Sequence, residues 1–503
     1  MPNHKTISDL AEDFSELSLL TTSARKRLAE YMSDLHAQRS AYLAETYEYM
    51  QRQAQELASA YEILLKEVQA ERAAQSGWDT EDLPRLYKAK RKHSDLLRVL
   101  QSSLGATVTS GSWQAPSFTH TSFSEAGNRT GEVHVNQDDY VRDYYPAEEY
   151  YAQLFAKEYV DHPNRLPPRT LLTSSCMAAL TTVLNNTFNS NNAGAYALVG
   201  ATSYFQNKWV AEKLFPGKVI YVDEFDTDNL LAQAAKYVPS VILLDSIAGT
   251  ESLAMPHLER LIPELSRMLP PTSTIVLDVT ASATMHQPLR YLPIRPFGPK
   301  LVMIASLSKY YQFGFDRVTA GAIWTPMDLD LSLGITRRQL GTNIPDASLF
   351  ALPMPCRPIL DLRLKRMGRN ARLLAERLDT YTNEVDGPIS HMVYPSLPSY
   401  RGYSWTKDAA FHGGVCTFAF KPGKDSPAEQ EAFAKRVFVE AKRRGIQLVG
   451  GAGFGYNTTR LYFISKQHVT ANLRPFVRIA AGTETLDEID LLTEVFKSAM
   501  LSK

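Results

Sequence analysis

Five short apolar runs constrain this chain more than any other feature: "AYALVG" (195–200), "KVIYVDEF" (218–225), "SVILLDS" (240–246), "STIVLDVT" (273–280) and "KLVMIASLS" (300–308). Each is apolar along its length rather than at alternate positions, as strands covered on both faces must be, and stretches of helical periodicity separate them. Strand and helix in turn are the signature of a mainly parallel sheet wrapped by helices, because a parallel neighbour is reached only through a crossover. Residues 146–330 are therefore predicted to form a large α/β domain. After it, "LDLRLKRMGRNARLLAERLDTY" reads as a connecting helix, and "GGVCTFAF", "EQEAFAKRVFVEAKRRG", "TRLYFI" and "FVRIAAG" as a smaller α+β domain, together 331–503.

The amino-terminal residues follow another period. Leu43, Tyr47, Met50, Ala54, Leu57, Tyr61, Leu64 and Val68 recur in steps of four and three, which places them on one helical stripe with a coiled-coil-like seam. No proline stands between Asn3 and Pro84, so one or two long helices are predicted over about 22–75. A further helix is predicted from Leu83 to Gly105, its basic run Lys88 to His93 forming a solvated face. Residues 1–105 read as a helical extension. The Ser-, Thr- and Gly-rich stretch after it opens an extended arm or linker over 106–145.

Bulk properties exclude several classes. With 54 basic and 54 acidic side chains in 503 residues, nothing favours nucleic acid as a partner. Cys176, Cys356 and Cys416 are too few and too far apart for a disulfide framework, none has metal-ligand spacing, and no metal is expected. No run of roughly 18 apolar residues occurs, and the start lacks a basic region followed by an apolar one. The expectation is a cytoplasmic protein without membrane contact.

Ligands of open α/β sheets bind beyond the carboxyl ends of the strands, and three such ends carry polar residues. Lys309 follows the run "KLVMIASLS" directly; its plain alternative is a solvated lysine. Asp278 ends "TIVLD", where an unpartnered carboxylate would be costly; its plain alternative is a helix N-cap. Ser174 and Ser175 precede a helix start, where free N–H groups attract an anion. A phosphate, a cationic ring nitrogen and a carbonyl that condenses with lysine would satisfy all three, and pyridoxal 5'-phosphate has these features.

Six motifs extend this reading: "YVRDYYP" with Tyr140 and Arg142, "SSCMAAL" with Ser175, Cys176 and Met177, "ATSYFQN" with Tyr204, "LDVTAS" with Asp278 and Thr280, "SLSKYY" with Ser306, Ser308 and Lys309, and "VRIAAGTETLDEIDLL" with Arg478, Gly482 and Glu484. In their order, from about Pro116 onward, the chain resembles the Cys/Met-metabolism group of pyridoxal-phosphate enzymes, the cystathionine γ-synthase and methionine γ-lyase relatives with fold type I architecture. The resemblance implies that Lys309 forms the Schiff base and moves protons, that Asp278 keeps the ring nitrogen protonated, and that Tyr204 stacks on the ring with a proton role. It implies that Ser306, Ser308, Arg142 and the backbone at Ser175, Cys176 and Met177 hold the phosphate, with Thr280 and Tyr140 also on the cofactor. It further implies that Arg478 clamps the substrate α-carboxylate. Tyr140 and Arg142 match an arm that completes a neighbour's site, hence a homodimer or dimer of dimers.

Departures from the family pattern bear on the reaction. Cys176 replaces a usual glycine, Val279 an asparagine and Ala480 a serine, and "LLDSIAGTESLAMP" has Gly249 and Thr250 where Asn-Pro would fall. The loop "LVGGAGFGYNTTR" is unlike the usual substrate-side loop. The expectation is γ-substitution or γ-elimination on an α-amino acid through a vinylglycine-type intermediate. A sulfonium donor resembling S-adenosylmethionine, a second co-substrate and a place in specialised metabolism complete it. The alternatives are an aminotransferase or β-lyase, and a non-catalytic dimeric binding protein.

Overall fold

The computed structural model describes residues 4–37, 44–109, 146–162, 168–189, 195–293, 298–326, 332–464 and 475–501. The chain divides into two units: Met1–Leu154 with Phe315–Ala320 and Asn343–Pro355, and Phe155–Gly314 with Gly321–Thr342 and Cys356–Lys503.

In the first unit, α1 (His4–Ala37), α2 (Ala44–Ala74) and α3 (Leu83–Thr109) pack on one another. The stripe residues Tyr47, Met50, Ala54, Leu57, Tyr61, Leu64 and Val68 are all buried, as are Leu10, Phe14, Leu17 and Leu28 of α1 and Leu86, Leu97 and Leu104 of α3. Leu43 lies outside the described residues. Two expectations are corrected here. Helix begins at His4, well before residue 22, because α1 buries Thr6, Asp9, Asp13 and Thr21 along with its leucines and so blurs the apolar period. The basic run is only partly a solvated face: Lys90 and His93 are buried, with Lys90 Nζ 2.7 Å from Asp13 and His93 Nε2 2.9 Å from Glu67. Gly105 lets α3 meet the short helix Asp346–Ala351, since a Cβ there would sit 2.8 Å from the Ala347 carbonyl. Thr109 ends α3 four residues into the predicted arm. Tyr140 and Arg142 lie outside the described residues.

The second unit holds two sheets. The larger contains β1 (Arg169–Thr173), β2 (Ala197–Gly200), β3 (Val219–Val222), β4 (Val241–Asp245), β5 (Thr274–Asp278), β6 (Lys300–Ser306) and β7 (Gly321–Thr325) in the order β1-β7-β6-β5-β4-β2-β3. It is mainly parallel; β7 alone runs antiparallel to its neighbours. Every residue of β4, β5 and β7 is buried, which is why these strands read as unbroken apolar runs. Helices α4 (Cys176–Asn189) and α5 (Phe205–Leu214) follow β1 and β2.

The smaller sheet contains β8 (Ile389–Val393), β9 (Val415–Phe420), β10 (Val449–Gly450), β11 (Arg460–Ile464) and β12 (Phe476–Ala480), in the order β10-β11-β12-β9-β8. Phe418, Phe433, Phe496 and Leu374 share its core with α6 (Arg357–Glu384) and α7 (Leu486–Leu501). A capping box starts α7: the Thr485 N–H donates to Glu488, and the Glu488 N–H donates to the Thr485 hydroxyl. Among the described residues, no helix is long and apolar enough to cross a membrane.

Candidate active site

The sheet order sets β6, β5 and β4 side by side, so Lys309, Asp278 and Asp245 gather at one carboxyl edge. Asp278 Oδ1 accepts from the Thr280 N–H at 3.0 Å and Oδ2 from the Asn207 amide at 3.3 Å, with the Cys176 thiol 3.9 Å away. Asp245 pairs with Asp278 in register; its Oδ2 accepts from the Tyr204 N–H at 2.8 Å and its Oδ1 from Asn207 at 3.4 Å. Burial raises the pKa of both carboxyls; for Asp278 the hydrogen bonds from Thr280, Asn207 and Cys176 work the other way, and for Asp245 the charge of Asp278 raises it further. Burial, then Asp278, pushes the Cys176 thiol well up, so it stays protonated and is a poor nucleophile.

The turn before α4 is held by its own hydrogen bonds and by close packing. The Thr173 hydroxyl donates to the Ser175 carbonyl at 2.8 Å, and Ser175 Oγ caps the helix by accepting from the Ala178 N–H at 3.0 Å. Gly321 of β7 passes against this turn: a Cβ there would collide with the Ser175 carbonyl and lie 2.7 Å from the Cys176 nitrogen. Thr280 Oγ1 accepts from the Ser306 N–H at 2.9 Å and so ties the end of β5 to β6, three residues before Lys309. The Ser308 N–H reaches Ser306 Oγ at 3.3 Å.

Lys309 is half-buried, and the segment after it is locked by aromatic packing. Tyr311 lies 5.2 Å from Tyr159 and 5.5 Å from Phe155, ring centre to ring centre. On the other side the loop 450–459 closes over it, with the Phe454 ring centre 5.7 Å from Lys309 Nζ and 5.1 Å from that of Tyr310. Arg363 holds the loop through Asn457 Oδ1 at 2.7 Å, and Asn457 O accepts from the Thr483 N–H at 3.1 Å. Arg478 of β12 donates to the Ala452 carbonyl of the same loop, lies 5.6 Å from the Tyr462 ring centre, and faces Gly249, whose absent Cβ would be 3.7 Å from it. Burial lowers the Arg478 pKa and the hydroxyls of Tyr462, Tyr204 and Tyr310 oppose this, leaving a guanidinium charged at any working pH. Tyr204 stands 40% exposed before α5, near Arg478 and Asp278, with its pKa raised chiefly by burial.

A helix start that could face an anion, a buried carboxylate at a strand end and a lysine past the next strand end are groups that pyridoxal phosphate requires, and these residues fit it. The mainly parallel sheet with a smaller sheet domain after it defines a fold type I pyridoxal-phosphate enzyme. The chain belongs to the Cys/Met metabolism PLP-dependent enzyme family, whose model matches residues 104–492. The fold is similar to that of cystathionine γ-synthase from Xanthomonas oryzae (TM-score 0.57, 19% identity, 73% of this chain and 88% of that one). It is also similar to metB from Corynebacterium glutamicum (TM-score 0.57, 18% identity, 79% and 98%). In sequence the chain is similar to the bifunctional enzyme flvA of Aspergillus flavus, 25% identical over 323 residues, which are 64% of this chain but only 38% of that protein.

Of the residues expected from sequence, Ser175, Cys176, Tyr204, Asp278, Thr280, Ser306, Ser308, Lys309 and Arg478 lie along this edge and the loop facing it, and Met177 lies in the first turn of α4. Three were missed, Asp245, Asn207 and Gly321, and Phe454 and Gly455 lie in the loop "LVGGAGFGYNTTR", which the sequence marked as a departure without singling out either residue. Asp245 had a signal, because it ends "SVILLD" as Asp278 ends "TIVLD".

Proposed function

We propose that this protein catalyses γ-substitution or γ-elimination on an α-amino acid, with Lys309, Asp278 and Arg478 as its working groups. One observation carries the reading: Asp278 and Lys309 stand at the ends of the adjacent strands β5 and β6, and the loop whose Ala452 carbonyl holds Arg478 sets Phe454 5.7 Å from Lys309 Nζ, which brings the three groups to one site. The bound cofactor supplies an electrophilic carbonyl and an electron sink. The Lys309 amine moves protons at the substrate Cα and Cβ. Asp278 would stay an anion and accept a hydrogen bond from the protonated ring nitrogen, and Arg478 would orient the substrate by its carboxylate. Ser306, Ser308, Thr280 and the turn at Ser175, Cys176 and Met177 hold the phosphate, and Tyr204 covers the ring.

The finer reading is a sulfonium donor in specialised metabolism. It is supported by the aromatic faces of Tyr204 and Phe454, which favour a substrate carrying a cationic γ substituent, and by Gly249 beside Arg478. A cytoplasmic homodimer or dimer of dimers belongs with this reading, Tyr140 and Arg142 entering the neighbour's site. The helices of the first unit then stabilise the assembly.

The test incubates the loaded protein with amino acids carrying ester or sulfonium γ substituents and a thiol or carbon nucleophile. Release of the γ group is expected. A keto acid formed with the γ group retained would make the protein an aminotransferase, and release only from β-substituted substrates a β-lyase.

A further inference from the structure

Two buried carboxylates at adjacent strand ends present a charge problem that the family motif does not address. Asp278 and Asp245 are 8% and 5% exposed, and among the described residues neither is ion-paired with a lysine or arginine. The groups facing them are Asn207 and the Tyr204 N–H at the start of α5, Cys176 from α4, the Thr280 N–H after β5, Glu224 beyond β3 and the phenols of Tyr204 and Tyr311. The Asn207 amide donates to both carboxylates, at 3.3 and 3.4 Å, and its own Oδ1 is buried without a donor.

We propose that Asp245 and Asn207 are positioning residues for Asp278: the Asn207 amide ties the two carboxyls into one unit that keeps a single proton, held on Asp245, so that Asp278 remains the anion facing the ring nitrogen. The inference rests on the assignment of Asp278 to that nitrogen. Two buried carboxylates on adjacent strand ends, bridged by one amide, repel each other and are costly to keep both charged, so one proton remains. Donor count decides where. Asp278 accepts from the Thr280 N–H, Asn207 and the Cys176 thiol, whereas Asp245 accepts from the Tyr204 N–H and Asn207 and also faces Glu224. The carboxyl with more donors keeps its charge. The directions agree: the Asp245 pKa is raised well above its ordinary value, and the rise at Asp278 is opposed mainly by its donors.

The test is infrared spectroscopy of the holoenzyme at neutral pH, read beside a pH titration of its visible band. A carbonyl stretch of a protonated carboxylic acid is expected that shifts when aspartate is isotope-labelled and disappears in Asp245→Asn. Asp245→Asn, which mimics the protonated acid, should leave the visible-band midpoint within about half a pH unit of the wild type. Asp245→Leu, which cannot accept from Asn207 or Tyr204, should move it by more. A stretch that survives Asp245→Asn overturns the proposal. If the variants do not fold, absence of any labelled carbonyl stretch in the wild type overturns it as well. A visible band indifferent to Asp278→Asn would instead remove the ring-nitrogen assignment, whatever Asp245 does.

Discussion

Gly455 packs on the peptide that follows Lys309: a Cβ on it would lie 2.9 Å from the Lys309 carbonyl carbon and 2.8 Å from the Tyr310 nitrogen. Its φ of +89° is also one that residues with a side chain rarely adopt. The same loop carries Phe454 over the lysine amine and the carbonyl that holds Arg478, so its seat on Lys309 sets Lys309 and Arg478 relative to each other. Gly455→Ala adds a backbone cost of roughly 1–2 kcal/mol and a clash with fixed atoms. The expected outcome is a folded protein with a shifted visible band and lower kcat/KM, read by absorbance and steady-state kinetics.

Arg478→Lys keeps the charge and loses the planar fork. A bidentate contact with a carboxylate then becomes a single one, a loss of roughly 2 kcal/mol in substrate binding. KM for the amino acid should rise strongly while the cofactor stays bound. An unchanged KM would move the clamp elsewhere.

Glu484 gives a pH dependence with a defined sign. Burial, then the charge of Glu488, pushes its carboxyl from an ordinary 4.5 up to about 7. The folded chain keeps a proton that the unfolded chain releases above about 4.5, so stability is full below that pH and falls until about 7, by about 3 kcal/mol in all. Glu484→Gln should flatten this part of a plot of Tm against pH, because an amide still accepts from the Thr459 N–H. A wild-type slope in the variant would place the titration on another group.

Lys90 and Asp13 form an ion pair whose side chains are 11% and 7% exposed. Lys90→Met leaves Asp13 buried without that partner and should cost about 3–5 kcal/mol, measured by urea unfolding. The double variant Lys90→Met, Asp13→Leu should recover much of the loss, since an apolar pair of similar volume carries no desolvation cost.

These contacts show which parts of the molecule could be read beforehand. Asp278 and Lys309 were legible because each closes an unbroken apolar run. Asp245 closes one just as clear, yet its meaning depends on β4 lying beside β5, and sheet order is not written in any local stretch. Asn207 and Phe454 act only through distant parts of the chain, so no spacing marks them. Lys90 read as solvated because its partner, Asp13, sits on another helix. Gly321 and Gly455 gave no signal beyond being glycine; what distinguishes them is the backbone each one meets.

Lys309 is the residue proposed to bear the cofactor. Borohydride reduction of the purified protein, followed by peptide mapping, tests it most directly. The expected result is loss of the visible band and a reduced pyridoxyl group on Lys309, with no label and no turnover in Lys309→Ala. A label on any other lysine, or an active Lys309→Ala protein, would contradict it.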